Sequence, residues 1–136
     1  MVNENGVSLD KHCKSVYQRI KGNCCDEWKS NRLTFYGWYK DRLAKQEVLC
    51  EYCHLRGDTM LHYKRRFRPN RKGGFNRGLH LEVDRRISKD KDGPTKYEPT
   101  NCVLACYPCN NAKSDVFTYD EFRQIGEMIC KVKKGC

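Results

Sequence analysis

The chain has 136 residues, with 27 Lys and Arg against 17 Asp and Glu, which gives a formal net charge of +10 at pH 7 with His neutral. Apolar residues make up 38% of it, and no stretch approaches the ~20 apolar residues of a membrane-spanning helix, so a helical transmembrane protein is excluded. The length suits one small domain that benefits from an added brace, and the positive balance points to a polyanionic partner, nucleic acid above all.

The N-terminus, Met1-Val2-Asn3-Glu4-Asn5-Gly6, lacks the basic-then-apolar pattern of a secretory signal. The ten cysteines are therefore expected in a reducing, cytoplasmic compartment, where metal ligation is a better default than disulfides. Residues 1–30 are polar, without a clear period, and are read as an N-terminal segment. Within it, His12, Cys13, Cys24 and Cys25 are a candidate second zinc site of three thiolates and one imidazole. Cys24 and Cys25 are adjacent, however, and lack the usual two-residue spacer.

Residues 31–136 carry the clearer signals. Phe35, Trp38, Tyr39 and Leu43 recur at helical spacing, with Thr34 placed to cap the start. Cys50-Glu51-Tyr52-Cys53 is a short knuckle. Six cations follow between positions 64 and 72: Lys64, Arg65, Arg66, Arg68, Arg71 and Lys72. A run of one sign releases counterions on meeting DNA phosphates, and its arginines can read guanine edges; a solvated cationic loop is the bland alternative. Gly73-Gly74 reads as a turn.

Leu79-His80-Leu81-Glu82-Val83-Asp84 alternates strictly and predicts a strand, with Leu79, Leu81 and Val83 toward the core. That leaves His80, Glu82 and Asp84 in one row on the other face. Residues 86–100 read as a loop, and a helix is expected from Asn110 to Val116. The last helix has a Thr118/Glu121 capping box and an apolar stripe of Phe122, Ile125, Ile129 and Val132.

Cys50-x-x-Cys53 and Cys106-x-x-Cys109 are separated by 52 residues. Each Cys-x-x-Cys turn presents two sulfurs to one ion, so two turns close a tetrahedral zinc site with no open position. Such an ion is structural and supplies folding free energy to a small domain. Redox pairs or buried thiols are the alternatives. His54 is a reserve ligand, Cys102 and Cys130 are assigned to the core, and Cys136 is assigned as a terminal thiol.

From Leu81 the chain reads LEVDRR, a loop, then EPTNCVLACYPCNNAKSDVF. This order resembles the HNH endonucleases, in which a strand ends in Asp-His, an Asn follows in the loop, and a helix opens with Cys-x-x-Cys-(Asn/His)-x-x-Lys. The likeness extends to zinc-bearing HNH restriction endonucleases of the PacI type. They share Val-Asp-Arg, the Leu-Ala-Cys-x-x-Cys-Asn-x-x-Lys-Ser helix start, and a segment matching Thr34, Phe35, Trp38 and Tyr39. The resemblance implies an α+β fold: a small zinc-braced ββα-metal (HNH, or His-Me finger) core with flanking helices.

The resemblance also implies roles. Asp84 and Asn110 match the ligands of a catalytic Mg²⁺ or Mn²⁺, Asn101 matches the residue that holds the loop, and Lys113 matches a Lys that contacts the DNA backbone or braces the helix. Arg85 replaces the usual general-base His and stays protonated, so it serves a phosphate and the base must lie elsewhere. Tyr52 and His80 are the two candidates. A phenol needs its pKa of ~10 lowered to act, whereas an imidazole near ~6.5 needs no such help. Glu82 is placed to orient a base or a water.

The implied activity is metal-dependent hydrolysis of phosphodiester bonds in double-stranded DNA, sequence-specific and restriction-type, by a homodimer without a membrane partner. Its expected setting is the cytoplasm of a bacterium or of a phage-infected host. The alternatives are a homing or nicking HNH enzyme of a phage or mobile element, and a non-catalytic zinc-dependent DNA-binding module with a decayed HNH site.

Overall fold

Ser8 starts the first helix: its hydroxyl accepts from the Lys11 N–H at 3.0 Å, and α1 (Leu9–Ile20) follows. In this computed structural model the described residues are 8–59 and 80–134. The cationic run at Lys64, Arg65, Arg66, Arg68, Arg71 and Lys72, the Gly73-Gly74 turn, Leu79 and Cys136 lie outside them. No described helix is long and apolar enough to cross a membrane.

The buried face of α1 is His12, Cys13, Val16, Tyr17 and Ile20, a single helical stripe. A 3-10 turn (Lys21–Asn23) leads into α2 (Asp26–Ser30), which buries Trp28. Helix α3 (Arg32–Lys45) is capped by Asn31, whose side chain accepts from the Leu33 N–H at 3.0 Å. The cap is thus three residues earlier than expected. Thr34 lies inside the first turn, where its hydroxyl donates to the Asn31 carbonyl at 2.6 Å and the Glu27 carbonyl at 3.2 Å. Asn31 already has the extended backbone (φ −147°, ψ 102°) that a cap requires. Phe35, Tyr39 and Leu43 point inward from α3. Phe35 meets Trp28 edge-on at 5.1 Å and Tyr17 at 5.5 Å. Helices α1 and α2 therefore share a core with α3.

The strands are short. β1 (Glu82–Arg85), β2 (Lys89–Asp90), β3 (Gly93–Pro94) and β4 (Cys102–Ala105) form two separate antiparallel pairs, β1 with β4 and β2 with β3. In the first pair Glu82 faces Ala105 and Arg85 faces Cys102. Gly93, at φ 106°, opens β3 just after the two-residue turn from β2, so the segment expected as plain loop contains a small hairpin. A 3-10 turn (Pro99–Asn101) feeds β4. Helix α4 (Tyr107–Lys113) and helix α5 (Tyr119–Lys134) are the last described elements. The class is α+β, with a ββα unit of β1, β4 and α4.

The Thr118/Glu121 capping box is present: Thr118 N–H donates to Glu121 at 2.9 Å, and Glu121 N–H donates to the Thr118 hydroxyl at 3.2 Å. The apolar stripe of α5 differs from the expected one. Phe122, Gly126 and Cys130 are buried, Ile125 and Ile129 are half-buried, and Val132 is 73% exposed. A Cβ on Gly126 would lie 2.3 Å from the Tyr52 carbonyl oxygen, so the helix presents its glycine side to the first cysteine knuckle. Cys130 is in the core as expected, but it is disulfide-bonded rather than free.

Candidate active site and metal centre

Cys50, Cys53, Cys106 and Cys109 come together as the two knuckle spacings require. Their sulfurs all lie within 4.8 Å of one another, and all four residues are buried. Cys106 follows β4 directly at the N-cap position of α4, and Cys109 lies one turn on. The first knuckle is fixed by Cys50 N–H to the Leu55 carbonyl at 2.8 Å and Glu51 N–H to the Leu104 carbonyl at 3.0 Å. A closed set of four buried thiols is a donor set that suits tetrahedral zinc. His54 is exposed at a left-handed position (φ 58°) and is not part of the group.

The second cysteine group does not assemble. Among the described residues the one cluster with metal-ligand geometry is the first. His12 instead donates from Nε2 to the Leu81 carbonyl at 2.9 Å, and the Cys24 thiol donates to the Ile20 carbonyl at 3.4 Å. Burial pushes the Cys13 thiol up to about 12 and Cys24 up to about 11, and lowers His12 to about 4. These are neutral core groups. The missing spacer explains the outcome: Cys24 is turned toward the end of α1, while half-buried Cys25 starts α2 and pairs its N–H with the Tyr97 carbonyl at 2.9 Å.

Asp84 lies at the centre of the polar row on β1 and is 5% exposed. Tyr52, carried between the cysteines of the first knuckle, donates its hydroxyl to Asp84 Oδ2 at 2.5 Å. Lys113, at the end of α4, is 0% exposed, with Nζ 3.4 Å from Asp84 Oδ2 and 2.7 Å from the Arg85 carbonyl. Of the two roles expected for Lys113, this buried position is the bracing one and not a surface contact. Burial raises the Asp84 pKa, partly opposed by the Lys113 ammonium and the Tyr52 hydroxyl. Burial also raises the Tyr52 phenol, and the Asp84 carboxylate pushes it further the same way.

Asn110, on α4, donates from Nδ2 to Glu82 Oε1 at 3.3 Å. Glu82 is 3% exposed and pairs through Oε2 with Arg19 of α1 at 3.6 Å. That bond orients the amide, leaving Asn110 Oδ1 as the atom it can offer a cation. Asp84 and Asn110 are hard oxygen donors of the kind Mg²⁺ and Mn²⁺ take, so the donor chemistry fits. Asn101 reaches across its loop, accepting from Ile87 N–H at 3.2 Å and donating to the Ile87 carbonyl at 3.1 Å and the Thr95 hydroxyl at 3.2 Å.

Arg85 alternates away from Asp84. Its Nη1 donates to the Thr95 carbonyl at 2.7 Å, and the guanidinium lies 4.5 Å over the Tyr97 ring. His80 lies beside His12, ring centroids 5.0 Å apart, and is half-buried. The strand begins at Glu82, so His80, expected on it, lies in the bend before β1. Two features were missed in the sequence. The Tyr52–Asp84–Lys113 contact joins three segments distant in the chain, and the close approach of Gly126 rests on a single glycine inside an otherwise ordinary helix.

A solved structure of the rare-cutting HNH restriction endonuclease PacI is similar to this chain, with a TM-score of 0.67 and 24% identity, covering 99% of this chain and 86% of that one. No family model and no curated protein matches the chain. The chain has the fold of that HNH endonuclease.

Proposed function

We propose that this protein is a metal-dependent DNA endonuclease that hydrolyses phosphodiester bonds in double-stranded DNA. The observation that carries the reading is the buried Asp84 carboxylate, flanked by Tyr52 at 2.5 Å and Lys113 at 3.4 Å, on a strand whose fold is that of an HNH restriction endonuclease. A buried carboxylate bonded to a phenol and an ammonium, with a second buried acid, Glu82, two residues before it, is a functional arrangement before it is a stabilising one.

Asp84 and Asn110 Oδ1 would hold Mg²⁺ or Mn²⁺, which when bound supplies charge stabilisation at the scissile phosphate and the leaving 3′ oxygen. Glu82 keeps the Asn110 amide turned the right way. Lys113 fixes the end of β1 against α4, so that the carboxylate cannot rotate out of the site. Tyr52 takes the role of base: its Oη is at Asp84, whereas His80 lies before β1 and packs on His12. Burial and the Asp84 carboxylate raise its pKa, so it would serve as base only with the charge of a cation held at Asp84 beside it. Tyr52 would first lose its phenol proton to solvent; the attacking water then forms the new P–O bond as its proton passes to the Tyr52 phenolate oxygen, and the P–O3′ bond breaks with the 3′ oxygen taking a proton from solvent. The products are a 5′ phosphate and a 3′ hydroxyl.

The likeness to a restriction enzyme supports sequence-specific cleavage of both strands, and two-fold symmetric cutting by one site per chain calls for a homodimer. A second reading, a zinc-braced DNA-binding module without catalysis, is favoured by one observation: a buried ammonium already pairs with Asp84, and Arg stands where a base His is usual. Plasmid cleavage separates the two. With Mg²⁺ or Mn²⁺ the protein nicks and linearises plasmid, EDTA stops it, and Asp84→Ala and Asn110→Ala abolish it while DNA binding survives. Binding with no metal-dependent cleavage at any pH selects the module, and normal cutting by both variants shows that the site is elsewhere.

A further inference from the structure

Arg86 follows β1 directly, and backbone pairing continues through it: its N–H donates to the Asn101 carbonyl at 2.6 Å, and its carbonyl accepts from Tyr119 N–H at 2.9 Å. Two residues beyond Asp84, it extends the same row of the strand. Its guanidinium lies 4.4 Å over the Tyr119 ring, and that ring is 5.8 Å from the ring of Tyr52. Arg86 therefore adjoins the Tyr52–Asp84 pair, on the side where Arg85, turned toward Tyr97, is absent.

Among the described residues, Arg86 Nε is the buried side-chain nitrogen or oxygen with no hydrogen-bond partner. Native proteins rarely leave a buried charged donor unsatisfied, and when they do a missing ligand is a leading explanation. A second guanidinium, Arg123 of α5, lies 5.5 Å from the same ring centroid. Two cations around one ring repel unless an anion joins them. Glu51 is not that anion: one of its oxygens accepts from the Tyr119 hydroxyl at 2.8 Å and the other pairs with Arg42 at 2.9 Å. The stack on Tyr119 holds the guanidinium plane, and Nε with a neighbouring Nη forms the fork that fits two oxygens of a phosphate.

We propose that Arg86, held on Tyr119 and joined by Arg123, binds a DNA backbone phosphate adjoining the one cleaved at Asp84. The site shares the DNA-binding part of the function proposed above. It is distinct from the cationic run at positions 64–72 and places a positioning contact on the rigid core. Its role is to hold the register of the duplex over the catalytic carboxylate, and it reads no base.

The test is DNA binding by the zinc-loaded full chain, read by fluorescence anisotropy on a synthetic duplex in EDTA over a series of salt concentrations. Arg86→Gln should weaken binding about tenfold at low salt and reduce the salt slope by about one phosphate contact. Arg86→Lys should restore most of the slope but not all of the affinity, since an ammonium lacks the fork. Unchanged affinity and slope in Arg86→Gln, with melting temperature and zinc content as in the parent, overturn the proposal. If Arg86→Gln does not fold, Arg123→Gln on the exposed side of α5 replaces it: a shallower slope supports the site and an unchanged slope overturns it. Failure of this site and failure of the nuclease reading are separable. A chain that binds through Arg86 yet never cleaves DNA refutes only the nuclease, and a metal-dependent nuclease with an unaltered slope in the variant refutes only the site.

Discussion

Gly126→Ala sets helix propensity against packing at the point where α5 meets the first cysteine knuckle. In an open helix interior, Ala is better than Gly by about 1 kcal/mol. Here the new Cβ would meet the Tyr52 carbonyl oxygen at 2.3 Å, its carbonyl carbon at 2.5 Å and its Cβ at 2.7 Å. A tolerable carbon–oxygen contact begins near about 3.3 Å, so the helix must retreat by about 1 Å. The obstructing atoms are mostly backbone and cannot rotate aside. Overpacking of this kind costs about 3 kcal/mol, which leaves a net loss of about 2 kcal/mol after the propensity gain. With unfolding entropy of about 2.1 cal/mol/K per residue over the chain, that is a fall of about 7 °C in Tm. Thermal melts of the zinc-loaded parent and variant, followed by far-UV circular dichroism, measure it. A variant that melts at or above the parent temperature would refute the close-approach reasoning. The same shift displaces Tyr52, so DNA cleavage should fall along with stability.

Metal analysis of the purified protein should find one zinc per chain and not two, because His12, Cys13, Cys24 and Cys25 are not assembled as a site. Stripping that zinc with a chelator, or replacing Cys106 with Ser, should abolish the cooperative melt, since four buried sulfurs have no other partner for their charge. His12 makes the fold acid-sensitive. Its pKa falls from 6.5 to about 4 in the folded chain, mainly through burial. Between those values the unfolded chain binds a proton that the folded one refuses, so stability rises with pH across the window and is lost as pH falls from 6.5 toward 4. The integrated loss is about 3 kcal/mol. Urea titrations across this range should show a shallower pH slope for His12→Gln than for the parent, and equal slopes would exclude His12 as the cause.

The cysteine knuckles, β1 and the capping box of α5 were legible because each rests on local spacing: two residues for a chelating turn, two for a strand face, three for a reciprocal cap. The N-terminal helices were not. The inward stripe of α1 is His12, Cys13, Val16, Tyr17 and Ile20; it opens on a histidine, which an apolar period does not count, and on a cysteine that also reads as a metal ligand. The second zinc site was over-read for the same reason: His and Cys were taken as ligands where burial makes them core. On α5 the branched residues Ile125, Ile129 and Val132 set the expected stripe, yet the helix turns by its glycine, and the closest approach goes to the residue with no side chain. Glu82 and Asp84 were expected in one row of the strand with His80, which instead lies in the bend before β1, and the helix that covers Glu82 and Asp84 could not be foreseen. Lys113 reaches Asp84 from 29 residues away. Nothing local marks that ammonium as buried.

The central claim is that Tyr52 and Asp84 form the catalytic pair, and single-turnover DNA cleavage by Tyr52→Phe tests it most directly. The variant removes one oxygen from a residue whose ring stays packed on Tyr119 and Phe122. With Mg²⁺, at protein concentrations that saturate the DNA, cleavage should slow by at least about 100-fold with DNA affinity and zinc content unchanged, while His80→Ala cleaves near the parent rate. Cleavage by Tyr52→Phe at the parent rate, or loss of cleavage in His80→Ala alone, would contradict the account.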